Sequence, residues 1–213
     1  MMIKRIFFAL TFVLLAGCAV QSTVTVFHVL PMKGEGKTVS FYQPTTGQSE
    51  LELRAYQGKL VPYFEKAGYR VVEYSPERMP DYIAVFGYGI DNGTLVTNSS
   101  TTTQEGVIGY TANSSPIYGI TGVQSGTDTE RIYQRALVLT IFDAAKIPKA
   151  PASVEEGTAA LNRAQVYRGR VTSDGHCSSL AGVIDEMLVA LMKDFPGESG
   201  KARTQSVPWK GQC

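Results

Sequence analysis

Asp174, His176 and Cys177 fall within four consecutive residues. A carboxylate, an imidazole and a thiol are the parts of a thiol nucleophile or of a metal site. A cysteine in a turn before a helix also has its thiolate favoured. A catalytic base must reach its nucleophile in space, however, and residues adjacent in the chain seldom present themselves to one another. The simpler reading is a turn that carries a structural cysteine. The only other histidine is His28, in the run Val26-Phe27-His28-Val29, where it reads as one residue on a strand face. Metal sites need clustered ligands at defined spacing, so no metal is assigned. Gly87-Tyr88-Gly89 is followed by neither a third glycine nor a helix, and no Gly-x-Ser-x-Gly elbow or phosphate loop occurs. The acidic pairs Glu50/Glu52, Glu155/Glu156 and Asp185/Glu186 sit where helices should begin, where carboxylates complement the helix dipole. Glycosidase chemistry needs two carboxylates facing across a cleft. Arg168 and Arg170 share one strand face, with Arg131 and Arg135 opposite. They form either a small anion patch for polysaccharide, lipid headgroup or peptidoglycan, or cross-strand pairs with Asp128 and Glu130. No catalytic residue and no cofactor is assigned.

The elements that position these residues follow from periodicity. Residues 37–43 read as a strand with Val39 and Phe41 on one face. Ser49 and Glu52 make a capping box for a helix in which Leu53, Tyr56, Leu60 and Phe64 recur at helical spacing, with Gly68 past its end. Residues 69–74 read as a second strand, so 37–74 is a strand–helix–strand unit of the kind that makes a right-handed parallel crossover. Residues 81–90 are a strong strand, closed by Asp91-Asn92-Gly93. Residues 131–142 carry apolar side chains on both faces: Ala136, Val138, Thr140 and Phe142 on one, Leu137, Leu139 and Ile141 on the other. They predict a central strand. Residues 143–157 read as a loop with a short helical piece near Val154. Residues 164–172 predict a strand antiparallel to 131–142. A last helix over 180–194, capped by Ser178 or Ser179, carries the apolar stripe Leu180, Val183, Ile184, Met187, Leu188, Leu191 and Met192.

Residues 93–129 contain only Glu105 and Asp128 as charges. Alternating threonines favour a strand, and the glycines and Asn-Ser clusters favour turns. A long polar hairpin or loop is expected, with 101–110 against 117–124. Long excursions of this kind are functional or solvated. The sequence predicts an α+β domain: a mixed β-sheet, two main helices packed on one face, and this hairpin.

The chain has 213 residues, enough for one well-buried core, and 20 Lys and Arg against 19 Asp and Glu. So balanced a charge, with no basic stripe, gives no electrostatic reason to bind nucleic acid. Lys4 and Arg5, an apolar run over 6–15 and small residues before a cysteine describe an export signal. Leu15-Ala16-Gly17-Cys18 resembles the lipobox of bacterial lipoproteins. The resemblance implies a signal peptide over 1–17, cleavage before Cys18, and lipid on its thiol and amino group. Ala19, in place of an aspartate, implies the outer membrane with the domain facing the periplasm. Without Lys4 and Arg5 there remain 18 basic and 19 acidic residues, a net charge of −1. In an oxidising periplasm the two remaining cysteines, Cys177 and Cys213, are expected to pair; two free thiols are the alternative.

Gly36-Lys37-Thr38-Val39-Ser40-Phe41, the helix over 49–68 and the strand over 81–89 with its Tyr88-Gly89-Ile90-Asp91 end resemble the DUF4136-type bacterial lipoproteins. That resemblance implies an α+β domain in the periplasm and no catalytic residues. The layout is then signal peptide 1–17, lipidated N-terminus and tether 18–30, domain 31–195, and an irregular tail 196–213. The expected function is a non-enzymatic binding or envelope-assembly module held to the membrane by lipid on Cys18, with an envelope protein or glycan as partner. The alternatives are an envelope hydrolase or thiol enzyme using Asp174, His176 and Cys177, and a self-assembling or membrane-inserting protein acting through 93–129.

Overall fold

In a computed structural model of the chain, the described residues are 19–42, 50–75, 77–110, 116–148 and 153–213. Side chains at 105, 107–110 and 116–119 lie outside that description, as do Cys18 and the Ser49 of the capping box. Eight strands form a mixed sheet: β1 (Ala19–His28), β2 (Thr38–Tyr42), β3 (Arg70–Val71), β4 (Tyr82–Ile90), β5 (Thr94–Tyr110), β6 (Pro116–Asp143), β7 (Gln165–Gly175) and β8 (Ala202–Pro208). Three helices accompany them: α1 (Glu50–Lys66), α2 (Val154–Ala164) and α3 (Ile184–Met192). The sheet order is β3-β2-β4-β6-β7-β1-β8, and β5 pairs with β6 where β6 runs on past that sheet. The fold is α+β, as the sequence implies.

The strand–helix–strand unit forms as expected. β2 pairs in parallel with both β3 and β4. Leu53, Tyr56, Leu60 and Phe64 of α1 are buried at the predicted spacing. Gly68 ends the helix at a φ of 87°, a left-handed conformation that only glycine adopts without strain. β3 is only two residues, shorter than the predicted 69–74. Phe64 gathers Phe41, Tyr69 and Phe195 in edge-on contacts, with ring centroids 5.3 to 5.9 Å away. Strand β6 is central over 133–143, flanked by β4 and β7. Leu137, Leu139 and Ile141 enter the core shared with α1 and α3.

Four expectations need correction. Residues 19–28 are not a tether: β1 pairs with β7 on one side and β8 on the other. Val20, Ser22, Val24 and Val26 alternate inward, so the period of two had a face to bury. The span 196–213 is not irregular throughout, because β8 pairs antiparallel with β1 from Ala202 to Pro208. The last helix starts at Ile184, four residues late: no side chain caps it at Val183, and a hydrogen-bonded turn precedes it (Val183 N to Leu180 O, 3.0 Å). Its apolar stripe is nonetheless buried throughout. Finally, 154–164 is a full helix, capped by Ser153, whose Oγ accepts from Glu156 N at 3.1 Å. It packs on a 3-10 turn (Ala144–Lys146) and on β6, and its buried Ala160 and Ala164 lie outside the main core.

Candidate functional site

Cys177 is bonded to Cys213, with the two Cα atoms 5.2 Å apart. That removes the thiolate a nucleophile would need, so the thiol reading fails for this oxidised form. His176 is exposed and reaches Glu130 Oε2 at 3.5 Å. Asp174 is exposed on β7. All three line one cavity, with the Cys177 sulfur held in the disulfide. Among the described residues no three His, Cys, Asp or Glu side chains could hold a metal. The acidic pairs lie in the first turns of the three helices, where Glu186 is buried and accepts from Lys210 N at 2.9 Å. Glu50 pairs with Arg54, Glu52 accepts from Tyr56 Oη at 2.6 Å, and Asp185 meets Lys59 at 2.6 Å. His28 lies on β1 with Nε2 2.9 Å from the Gly197 carbonyl.

The four arginines do not form one patch. Arg168 and Arg170 are exposed on the sheet face away from α1 and α3. Arg131 donates to the Asn92 carbonyl at 3.1 Å. Arg135 points the other way, into the core, and is 2% exposed. The alternation that sends Leu137, Leu139 and Ile141 inward sends Arg135 inward two residues earlier. That period of two was legible in the sequence, and followed one step further it separates Arg135 from Arg168 and Arg170.

Arg135 ends a buried polar row across three strands. It pairs in register with Ser173, and the β1–β7 register places Ser22 on the other side of Ser173. Ser22 and Ser173 are also 2% exposed. Ser173 Oγ donates to the Gln21 carbonyl at 2.7 Å. Ser22 Oγ and Arg135 Nε are enclosed and have no hydrogen-bond partner among the described residues. Neither a hydrogen bond nor an ion pair among those residues engages the Arg135 guanidinium. Burial lowers the pKa of that guanidinium, while the charges of Asp174 and Asp91 oppose the shift. A Cβ at position 175 would come 2.6 Å from Arg135 Nη2, so the guanidinium lies in space that glycine leaves open.

A cavity of about 210 Å³ opens beside this row. Arg135, Ser173, Asp174 and His176 supply its polar wall, and Val20, Val183, Trp209 and the disulfide its apolar one. Trp209 is fixed by Nε1 donating to the Gly182 carbonyl at 2.8 Å. The disulfide holds the Trp209 segment against the turn before α3, and that contact completes the cavity.

The second candidate is the β5–β6 ribbon. Thr94 to Tyr110 pairs with Ile132 to Pro116, with register shifts between Gln104 and Glu105 and between Val107 and Gly109. The expected pairing of 101–110 with 117–124 is present and extends to Thr94. Seventeen residues of strand span roughly 55 Å. Every side chain over 94–104 is exposed. Among the described residues, no strand pairs with the outer edge of β5, nor with the opposite edge of β6 over 116–132.

This architecture is that of an α+β domain with a long two-stranded arm. The chain belongs to the DUF4136 family, a domain of unknown function, whose profile matches residues 32–197. β1 and β8 lie outside that match and pair with each other. A search of the curated proteins finds no match. A solved PDZ domain protein from Parabacteroides distasonis is similar at 12% identity and a TM-score of 0.45, over 94% of this chain. The chain spans 42% of that protein's length.

Proposed function

We propose that this protein is a non-catalytic assembly module, anchored by lipid on Cys18 in the outer membrane and facing the periplasm, that offers a strand edge to an envelope protein. The observation that carries this reading is the β5–β6 ribbon. Natural sheets protect long edges with lysines, prolines or very short strands. Over 94–110 this edge has no lysine and no proline, and one charge, Glu105. A two-stranded ribbon is marginal alone in water, and a third strand supplies the missing backbone bonds. Edge pairing requires a polypeptide, which favours a protein partner over a glycan. The lipobox supports the anchor. β1 begins at Ala19, one residue after Cys18, so an anchored sheet would be held close to the bilayer with little slack.

Photo-cross-linkers at Ser99, Thr101 and Thr103 in cells test the edge. Adducts to a discrete protein are expected, and they should vanish in Thr101→Pro, which removes a backbone donor. Adducts that are equally strong from Arg170, on the sheet's outer face, would overturn the reading. Labelled palmitate tests the anchor: incorporation is expected in the wild type and should be absent in Cys18→Ala, which should also leave the membrane fraction.

A further inference from the structure

We infer that the cavity beside Arg135 is a binding site for a small monoanionic carboxylate with a short apolar tail. The inference is independent of the ribbon and of the proposed assembly role. A buried cation without a partner is costly, and proteins keep one where something else supplies the opposite charge. Arg135 is 2% exposed, lines the cavity, and has neither hydrogen bond nor ion pair among the described residues. Its neighbour in the row, Ser22, also has a buried hydroxyl without a partner there. An arginine fork matches two oxygens of a carboxylate with paired hydrogen bonds.

Three features narrow the ligand. The volume, about 210 Å³, is below that of pockets for drug-sized molecules and admits a small acid. The wall of Val20, Val183 and Trp209 fits an apolar or aromatic tail. The charges near the cavity disfavour a dianion: Asp174 lines it, and Glu130 sits 3.5 Å from His176, another of its lining residues. One guanidinium balances one carboxylate, and a phosphate dianion would bring a second charge among those carboxylates.

Trp209 is the single tryptophan of the chain, so its fluorescence reports on the cavity directly. The experiment titrates the oxidised full chain with benzoate, acetate and inorganic phosphate at constant ionic strength. Benzoate is expected to give a saturable change and acetate a weaker one. Arg135→Met should weaken benzoate binding at least tenfold. Gly175→Ala, whose added methyl displaces the guanidinium, should weaken it as well and serves as the test should Arg135→Met not fold. The inference falls if benzoate gives no saturable change, if both variants respond as the wild type does, or if phosphate binds as tightly as benzoate.

Discussion

Asp81 is a stabilising residue that works through four hydrogen bonds. Its carboxylate accepts from Thr38 N and Thr38 Oγ1 at 2.8 Å and from Lys37 Nζ at 3.0 Å. Its own amide donates to Thr38 Oγ1 at 2.8 Å. The clip joins the starts of two parallel strands, β2 and β4. The Thr38 amide, then Lys37 and the Thr38 hydroxyl, lower the Asp81 pKa to about 2 from an ordinary 3.8. A depressed carboxylate stabilises the fold above its unfolded pKa, and that stability is lost as pH falls from about 4 towards about 2. The side chain is 37% exposed, which screens the effect to about 1 kcal/mol. Asp81→Asn should therefore lower stability at neutral pH by about that amount and flatten the loss between pH 4 and 2. Urea denaturation at pH 7 and pH 2.5 checks both. Arg135 follows the opposite logic. Replacing a buried charge that has no direct hydrogen-bond or ion-pair partner by an apolar side chain of similar volume removes its desolvation cost. Arg135→Met should therefore melt at or above the wild-type temperature in the absence of ligand; calorimetry measures it. A residue kept for packing alone would show a loss.

Two elements carry separable tasks. The ribbon buries little, so it should contribute little to the stability of the body. Replacing 98–128 by an Asn-Gly turn keeps the Thr97–Thr129 pair, whose hydroxyls lie 3.2 Å apart, and closes it with a favoured hairpin turn. The thermal midpoint should move by only a few degrees, while the cross-linked adducts should disappear. The segment closed by the disulfide behaves differently. Its cysteines are 36 residues apart and enclose α3 and β8. The chain-entropy model assigns such a loop about 3–4 kcal/mol. Cys177→Ser with Cys213→Ser should lose stability of that order in urea, and the Trp209 emission should shift red as its segment loosens.

For the whole molecule, strand order matters more than element identity. α1 with its Gly68 stop, the central strand 131–142 and the buried stripe of α3 were legible because each is set by local periodicity or by a terminal residue. The flanks were not. β1 alternates from Val20 to Val26, yet polar residues between the valines resemble a linker until β7 and β8 supply partners. β8, with its burial alternating between exposed and intermediate, has an even weaker local signal. Both are tertiary choices, since a strand gains its hydrogen bonds from chain far away in sequence. α2 was read only as a short helical piece near Val154 for another reason: Gly157, Thr158 and Asn162 weaken its helix propensity, and packing overrides them.

The sequence by itself determined the lipobox-like run that ends at Cys18, the supply of two further cysteines, the α+β pattern and the charge-poor stretch 93–129. Each depends on residue type, composition or short-range period. The period of two already put Arg135 on the face of Leu137, Leu139 and Ile141; only the tertiary structure decided that this face is the one buried against α1 and α3. The structure likewise decided that Trp209 closes a cavity with a residue 74 positions earlier in the chain, whereas the pairing of Cys177 with Cys213 was already expected from the sequence. Those outcomes rest on which strand lies next to which, and that is settled by burying the two flanking strands against one shared sheet.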